Sequence, residues 1–295
     1  MIPPDDVQTA AQSRARAFAG IFCLPFHNRV WKGPVGDLVG GGAGSSLDFQ
    51  DHRSYVPGDD PRHINWQAYA RTGLVTMKLY REEVRPLVDL VLDVSPSMFL
   101  DASKAARSLE LFYFAAESAL RSTASLATYV VLGKSHTRLE TGAVLGRSWP
   151  SLLGHLAGAD PATPPDLAPV PFRPHALRTV VSDLLFPGAP EAVALPLAAR
   201  NGRGLVLCPF ARSESDPGWS GNYEFVDAER DARRHVQRVE PPLLNRYLAA
   251  YSRHFDLWRN VAAKHGIAFA RVSADAPFDR ALQSEAVPAG AIEFS

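Results

Sequence analysis

Asp93, Ser95 and Ser97 stand at alternate positions in LVLDVSPSMF, where an apolar run stops abruptly in one carboxylate and two hydroxyls. Alternate side chains of an extended segment point to one side, so these oxygen-bearing groups can converge on a single point. Donors of this kind suit a hard cation, magnesium first and manganese or calcium next, held in oxygen coordination with some water retained. The two hydroxyls are neutral and leave positive charge on the ion, free to attract a carboxylate from outside. The theme recurs in VVSDLL, where Ser182 and Asp183 follow two valines, and Thr163 lies between the two stretches in the proline-rich DPATPPDL. Asp93, Ser95, Ser97, Thr163 and Asp183 would together supply two carboxylates and three hydroxyls from three loops. A plainer reading has Ser95 and Ser97 only capping the helix that follows.

Signals for catalysis are weaker. No histidine, lysine or glutamate base sits within the strand-end motif, and Asp-x-Ser-x-Ser lacks the second aspartate of an aspartyl-phosphate transfer enzyme. No Gly-x-Ser-x-Gly elbow marks a serine nucleophile. The stretch KGPVGDLVGGGAGSSLDF is rich in glycine, but Ser45 and Ser46 follow Gly44 where a phosphate-cradling loop needs Lys and then Ser or Thr. It reads as a connecting loop. His52 and His63 lie near Asp59 and Asp60 without a zinc-ligand spacing and read as surface residues.

The elements that must position these groups alternate in type from about Leu87 onward. LVDLVLDV is a buried strand, and KAARSLELFYFAAESALR follows as a helix with Leu109, Phe112, Tyr113, Ala116 and Leu120 at 3-4 spacing. ATYVVLG and HTRLET read as two strands joined at Gly133 and Lys134, and WPSLLGHLAG as a short helix. LRTVVSDLL, APEAVALPLAAR and GLVLCPF give strand, helix, strand. Residues 211–239 are polar and arginine-rich and read as an insertion with one strand at YEFVD. A long amphipathic helix carries Leu244, Tyr247, Leu248, Tyr251, Phe255, Trp258 and Val261 on one stripe and closes at Gly266. IAFARVS and PFDRALQSE end the pattern, and a further helix spans about Val7 to Ala19. Strands separated by helices make an α/β fold with a doubly wound, mainly parallel sheet. In such a sheet ligands sit outside the carboxyl ends of the strands, where Asp93, Ser95, Ser97 and Asp183 are expected.

With Thr163 included, the constellation resembles the metal-ion-dependent adhesion site (MIDAS) of von Willebrand factor type A domains, whose pattern is Asp-x-Ser-x-Ser, a separate threonine and a later aspartate. Upstream, DFQDHRSYVPGDDPRHINWQAYARTG is similar to the signature of the domain of unknown function 58 family. The matching residues are Arg53, Tyr55, Pro57, Gly58, Asp59, Asp60, Pro61, Arg62, Ile64, Trp66, Ala70, Arg71 and Thr72. Here Gly58 provides the turn, Asp59 and Asp60 cap amides or pair with Arg62 and Arg71, and Trp66 anchors the segment by burial. The resemblance implies a type A-like domain over residues 87–295, with an N-terminal extension, residues 1–86, carrying the helix, the glycine-rich loop and the signature. It also implies a partner, since such proteins commonly accompany MoxR-type AAA+ ATPases. Family members often carry transmembrane helices before the signature, and this chain departs from them.

Composition narrows the classes further. The 295 residues hold 31 lysines plus arginines and 31 aspartates plus glutamates, so no net field favours nucleic acid or an anionic membrane. Only Cys23 and Cys208 occur, too few for a disulfide framework or zinc cluster, and both read as core thiols of a reducing compartment. No segment reaches the length of a membrane span, and AFAGIFCLPF is short, flanked by arginines and broken by proline. The expected address is the cytoplasm. The expected function is a non-enzymatic, divalent-metal-dependent protein-interaction module, an adaptor that docks a partner's acidic side chain. A metal-dependent hydrolase and a scaffold with a degenerate metal site are the alternatives.

Overall fold

The structure is a computed structural model that describes residues 2–26, 35–43, 49–156, 158–229 and 234–295. In chain order it begins with α1 (Asp5–Phe18), β1 (Phe22–Cys23), β2 (Val35–Ala43), β3 (Phe49–Ser54), α2 (Trp66–Thr72) and β4 (Thr76–Val84). Next come β5 (Leu87–Asp93), α3 (Ala102–Arg121), β6 (Ser125–Leu132), β7 (Ser135–Leu139), α4 (Thr141–Leu145), β8 (Leu177–Val181) and α5 (Glu191–Ala198). The remainder is β9 (Arg203–Phe210), α6 (Arg212–Ser215), β10 (Gly221–Val226), β11 (Arg234–Val239), α7 (Pro241–Lys264), β12 (Ala268–Ser273), α8 (Phe278–Ala281) and β13 (Glu293–Phe294). Two compact units result: Met1–Pro25 with Leu87–Ser295, and Phe26–Pro86.

The larger unit is built on a six-stranded sheet in the order β12-β9-β8-β5-β6-β7. Every pairing is parallel except β6 with β7, which is antiparallel across the turn at Gly133. The central strands are buried on both faces and read as continuous apolar runs for that reason. One face packs on α5 and α7, where Val91, Val180, Val206 and Cys208 meet Val193, Leu197, Phe255 and Trp258. The other lies against α3, itself buried along almost its whole length because α1 covers its outer side. Alanines 11 and 15 let α1 approach closely, and Arg14 and Arg16 pair with Glu110 and Glu117 of α3 at 2.5 and 2.9 Å. A chain of hydrogen bonds runs from Trp149 Nε1 to the Tyr113 hydroxyl and on to Gln8 Oε1, each 3.0 Å. At the amino end of β5, buried Asp89 accepts from the Arg173 N–H and Nε at 2.7 and 2.6 Å, so even this charge is compensated.

The smaller unit is a three-stranded antiparallel sheet, β2-β4-β3, with α2 between β3 and β4 in the chain. Two expectations are corrected here. The glycine-rich stretch read as a loop contributes Val35–Ala43 as β2, paired irregularly with β4. Backbone pairing needs no side chain, and the register shifts fit a glycine-rich strand. Gly44, Ser45 and Ser46, on which the phosphate-loop comparison turned, lie outside the described residues. Trp66 is not buried but 60% exposed, meeting the edge of Tyr69, because α2 is only two turns long and buries no residue. The signature is held by polar contacts instead. Arg53 grips Asp59 with both guanidinium nitrogens at 2.7 and 2.6 Å, Arg62 grips Asp60 at 2.6 Å, and Asn65 caps α2 through Ala68 N–H at 3.1 Å. Asp59 therefore pairs with Arg53, not with Arg62 or Arg71.

Candidate functional site

From β5 the chain moves to β6 on one side of the sheet, and it later returns through β8 on the other. Loops that leave adjacent strands in opposite directions open a cleft at their carboxyl ends, and β5 and β8 flank it. Asp93 is the last residue of β5 and is completely buried. Its Oδ1 accepts the Ser95 N–H at 2.9 Å, and its Oδ2 accepts the hydroxyl of Ser182, just past the end of β8, at 2.7 Å. The two strand ends are thus tied through one carboxylate. Burial, and then the charge of Asp183, push the Asp93 carboxyl up to about 7, against the pull of the Ser182 and Ser95 bonds. The backbone turns into a short 3-10 helix, Pro96–Phe99, and brings the Ser95 and Ser97 hydroxyls to 3.2 Å of each other.

Asp183 is buried beside them. Its Oδ2 accepts from Lys104 Nζ at 2.9 Å, its Oδ1 accepts the Leu185 N–H at 3.1 Å, and its own N–H lies 3.0 Å from the Met98 sulfur. Lys104 belongs to the first turn of α3, where Asp101 caps the Ser103 and Lys104 amides at 2.8 and 3.0 Å. The same ammonium bonds Glu214 of α6, whose other oxygen accepts the Ala211 N–H at 3.1 Å. Burial works against the charge on Lys104, yet Asp183 and Glu214 together hold it above the ordinary ammonium value. A further carboxylate arrives from beyond β10: Glu229 Oε1 accepts the Ser97 N–H at 3.2 Å. Its Oε2 is buried with no hydrogen-bond partner among the described residues.

Thr163 is placed differently from the other four. Its hydroxyl donates to Asp160 at 2.9 Å within its own loop, and no bond joins it to Asp93, Ser95, Ser97 or Asp183. The loop does rest against the carboxyl end of β6, next to β5. A Cβ at Gly133 would stand 2.7 Å from the Asp160 carbonyl and 3.4 Å from the Thr163 Cβ. With φ at +53°, Gly133 is required there on both counts. The structure therefore brings Asp93, Ser95, Ser97 and Asp183 together, with Thr163 on an adjoining strand end.

Lys104, Glu214 and Glu229 escaped the sequence reading, and Ser182 was noticed only as a neighbour of Asp183. Lys104 left a trace: a lysine in the first turn of a helix opposes the helix dipole and calls for a buried acid to explain it. The glutamates left none, since both lie in the stretch read as a polar insertion. No histidine, lysine or glutamate lies within the motif itself, but the fold adds a lysine and two glutamates around it.

The donor set fits a hard divalent cation. Lys104 pairs with Asp183 and Glu214, whereas Asp93 has only the Ser95 amide and the Ser182 hydroxyl as donors and Glu229 only the Ser97 N–H, its second oxygen being buried without a donor among the described residues. A cation is the economical remedy for that excess of negative charge. Among the described residues no three His, Cys, Asp or Glu side chains form a metal-binding group, so such an ion would depend on the Ser95 and Ser97 hydroxyls. Burial raises the proton affinity of Glu229 against the pull of the Ser97 bond, and of Glu214 against the pull of Lys104.

The family model described as "Protein of unknown function DUF58" matches residues 51–256, more than half of the chain. No curated protein and no solved structure matches it. Among the described residues no helix is long and apolar enough to cross a membrane.

Proposed function

The chain belongs to the DUF58 family, and from that premise we propose that its strand-end cluster is a metal-ion-dependent adhesion site of the von Willebrand factor type A kind. Asp93, Ser95 and Ser97 hold magnesium, with Asp183 and Thr163 completing the shell directly or through water. The ion, once bound, supplies a Lewis-acidic position for one oxygen of a partner's aspartate or glutamate. Lys104, itself held by Glu214, keeps Asp183 in place, and Ser182 fixes the rotamer of Asp93. The protein is then a non-enzymatic adaptor acting in the cytoplasm, and a MoxR-type AAA+ ATPase is the partner of first choice. The observation that carries this reading is the buried Asp93 carboxylate beside two facing hydroxyls at the switch point of the sheet.

Thermal melting tests it. A native-state ligand stabilises by about 2.7 kcal/mol when free ion stands a hundredfold above its dissociation constant. That corresponds to a rise of roughly 5–10 °C for a domain of this size. Wild type should show the rise with magnesium or manganese over chelator, and Asp93→Ala should lose it together with capture of the ATPase. Superimposable melts in both ions and chelator would leave a scaffold with a degenerate site. One observation speaks for the hydrolase instead: Glu229 carries an unpartnered oxygen that could serve as a base. Metal-dependent turnover of a phosphoester by the pure protein, lost in Asp93→Ala, would favour that reading.

A further inference from the structure

Glu229 is the feature that the site's architecture leaves unexplained. It lies 132 positions along the chain from Ser97, yet its carboxylate reaches the Ser97 N–H at 3.2 Å. Its backbone is braced for that reach, with the Glu229 N–H donating to Asp227 Oδ1 at 3.0 Å. Among the described residues the Ser97 N–H is the hydrogen-bond donor its charge receives. Partial burial strips hydration from it, the carboxylates of Asp183 and Asp227 repel it, and its second oxygen is buried with no donor among the described residues. A buried carboxylate oxygen without a donor is costly to keep. It is accounted for if a cation stands among Asp93, Ser95 and Ser97, because Glu229 then offers that cation an acidic ligand of the same chemistry as a partner's aspartate or glutamate.

Resting on the cation reading of this cluster, we propose that Glu229 is a built-in stand-in for the partner's acid: it occupies the docking position on the ion until an outside carboxylate displaces it. Two consequences follow. The resting protein binds its ion more tightly than the five-residue set alone would, because Glu229 adds a charged ligand. It binds an acidic partner more weakly than the open site would, because an intramolecular competitor must first leave; if the self-ligated form is populated at about 90% or more, the loss is about tenfold or more.

Manganese titration followed by the electron paramagnetic resonance of the free aquo ion tests this, using the full chain, its Glu229→Gln and Asp93→Ala variants, and acetate as the outside carboxylate. Wild type should bind one manganese ion irrespective of acetate. Glu229→Gln should bind it about tenfold or more weakly, and tens-of-millimolar acetate should restore most of the lost affinity. Equal manganese affinity in wild type and Glu229→Gln, insensitive to acetate, with binding abolished in Asp93→Ala, would overturn the stand-in while leaving the cation site intact. Manganese binding by none of the three proteins would overturn the cation site and the stand-in together.

Discussion

Replacing Lys104 by methionine isolates the energetics of the buried cluster without opening a cavity, because the two side chains are close in length and volume. The Lys104 ammonium and Asp183 carboxylate are 2.9 Å apart with side chains only 2% exposed, and Glu214 is 20% exposed. At an effective dielectric near 20, a pair at that distance attracts by about 6 kcal/mol, much of it offset by the loss of hydration of both ions. The variant does not recover that offset. It leaves Asp183 enclosed with the Leu185 N–H as its described donor, and breaking a buried pair from one side costs about 3–5 kcal/mol. The melting temperature should fall by roughly 6–20 °C on the scale of 2–4 °C per kcal/mol. Urea denaturation in chelator measures it directly, with an unchanged m-value confirming the same cooperative unit. Lys104→Met/Asp183→Asn removes both charges and should return to within about 2 kcal/mol of wild type, since a neutral replacement of a buried pair is often tolerated. If Lys104→Met alone lies within about 1 kcal/mol of wild type, the ammonium is not enclosed as described, and the charge balance drawn for the site fails with it.

Both thiols should be silent in the native protein. Cys23 is 5% exposed, with burial pushing its pKa up to about 11, and Cys208 is fully buried and raised further. A chromogenic disulfide reagent at mild alkaline pH should release nothing until denaturant is added and then two equivalents, and rapid native reaction would place a thiol at the surface. In the signature, Arg62 holds the Asp60 carboxyl down at about 2. A depressed carboxylate contributes its stabilisation above its unfolded value and loses it as pH falls through the folded one, so this contribution should be complete above about pH 4 and fade as pH falls toward about 2. Carbon-detected titration should find the Asp60 midpoint near 2 in wild type and back in the ordinary range in Arg62→Ala. An ordinary midpoint in wild type would mean the pair does not form.

The sheet was legible because β5, β8 and β9 are buried on both faces and so write themselves as runs of valine and leucine, a signal that burial alone imposes. Asp93 was legible for the complementary reason: a carboxylate ending such a run stands out against it. The smaller unit was harder. β2 pairs through its backbone in a stretch of glycines, where side-chain patterning has nothing to record, and Trp66 suggested a buried anchor although α2 is too short to build a core. Glu214 and Glu229 were illegible in principle. Each acts through a contact more than a hundred positions away in the chain, and only the folded path of residues 211–239 decides which of that segment's many charges turns inward.

The covering of α3 by α1 has a consequence for the order of events during synthesis. α1 leaves the ribosome first, but the helix it shields begins at Ala102, some eighty residues later. At roughly 5–20 residues per second, the first helix waits several seconds for a surface to bind, while the whole of Phe26–Pro86 emerges and can fold in between. The pairing of β1 with β13, Phe22 opposite Phe294, extends the wait to nearly the full length of the chain. The larger unit therefore cannot be finished progressively from its amino end. Its last seam, β1 on β13, closes only after Phe294 has been added, and until then Phe22 and its neighbours in β1 lack the strand that pairs with them.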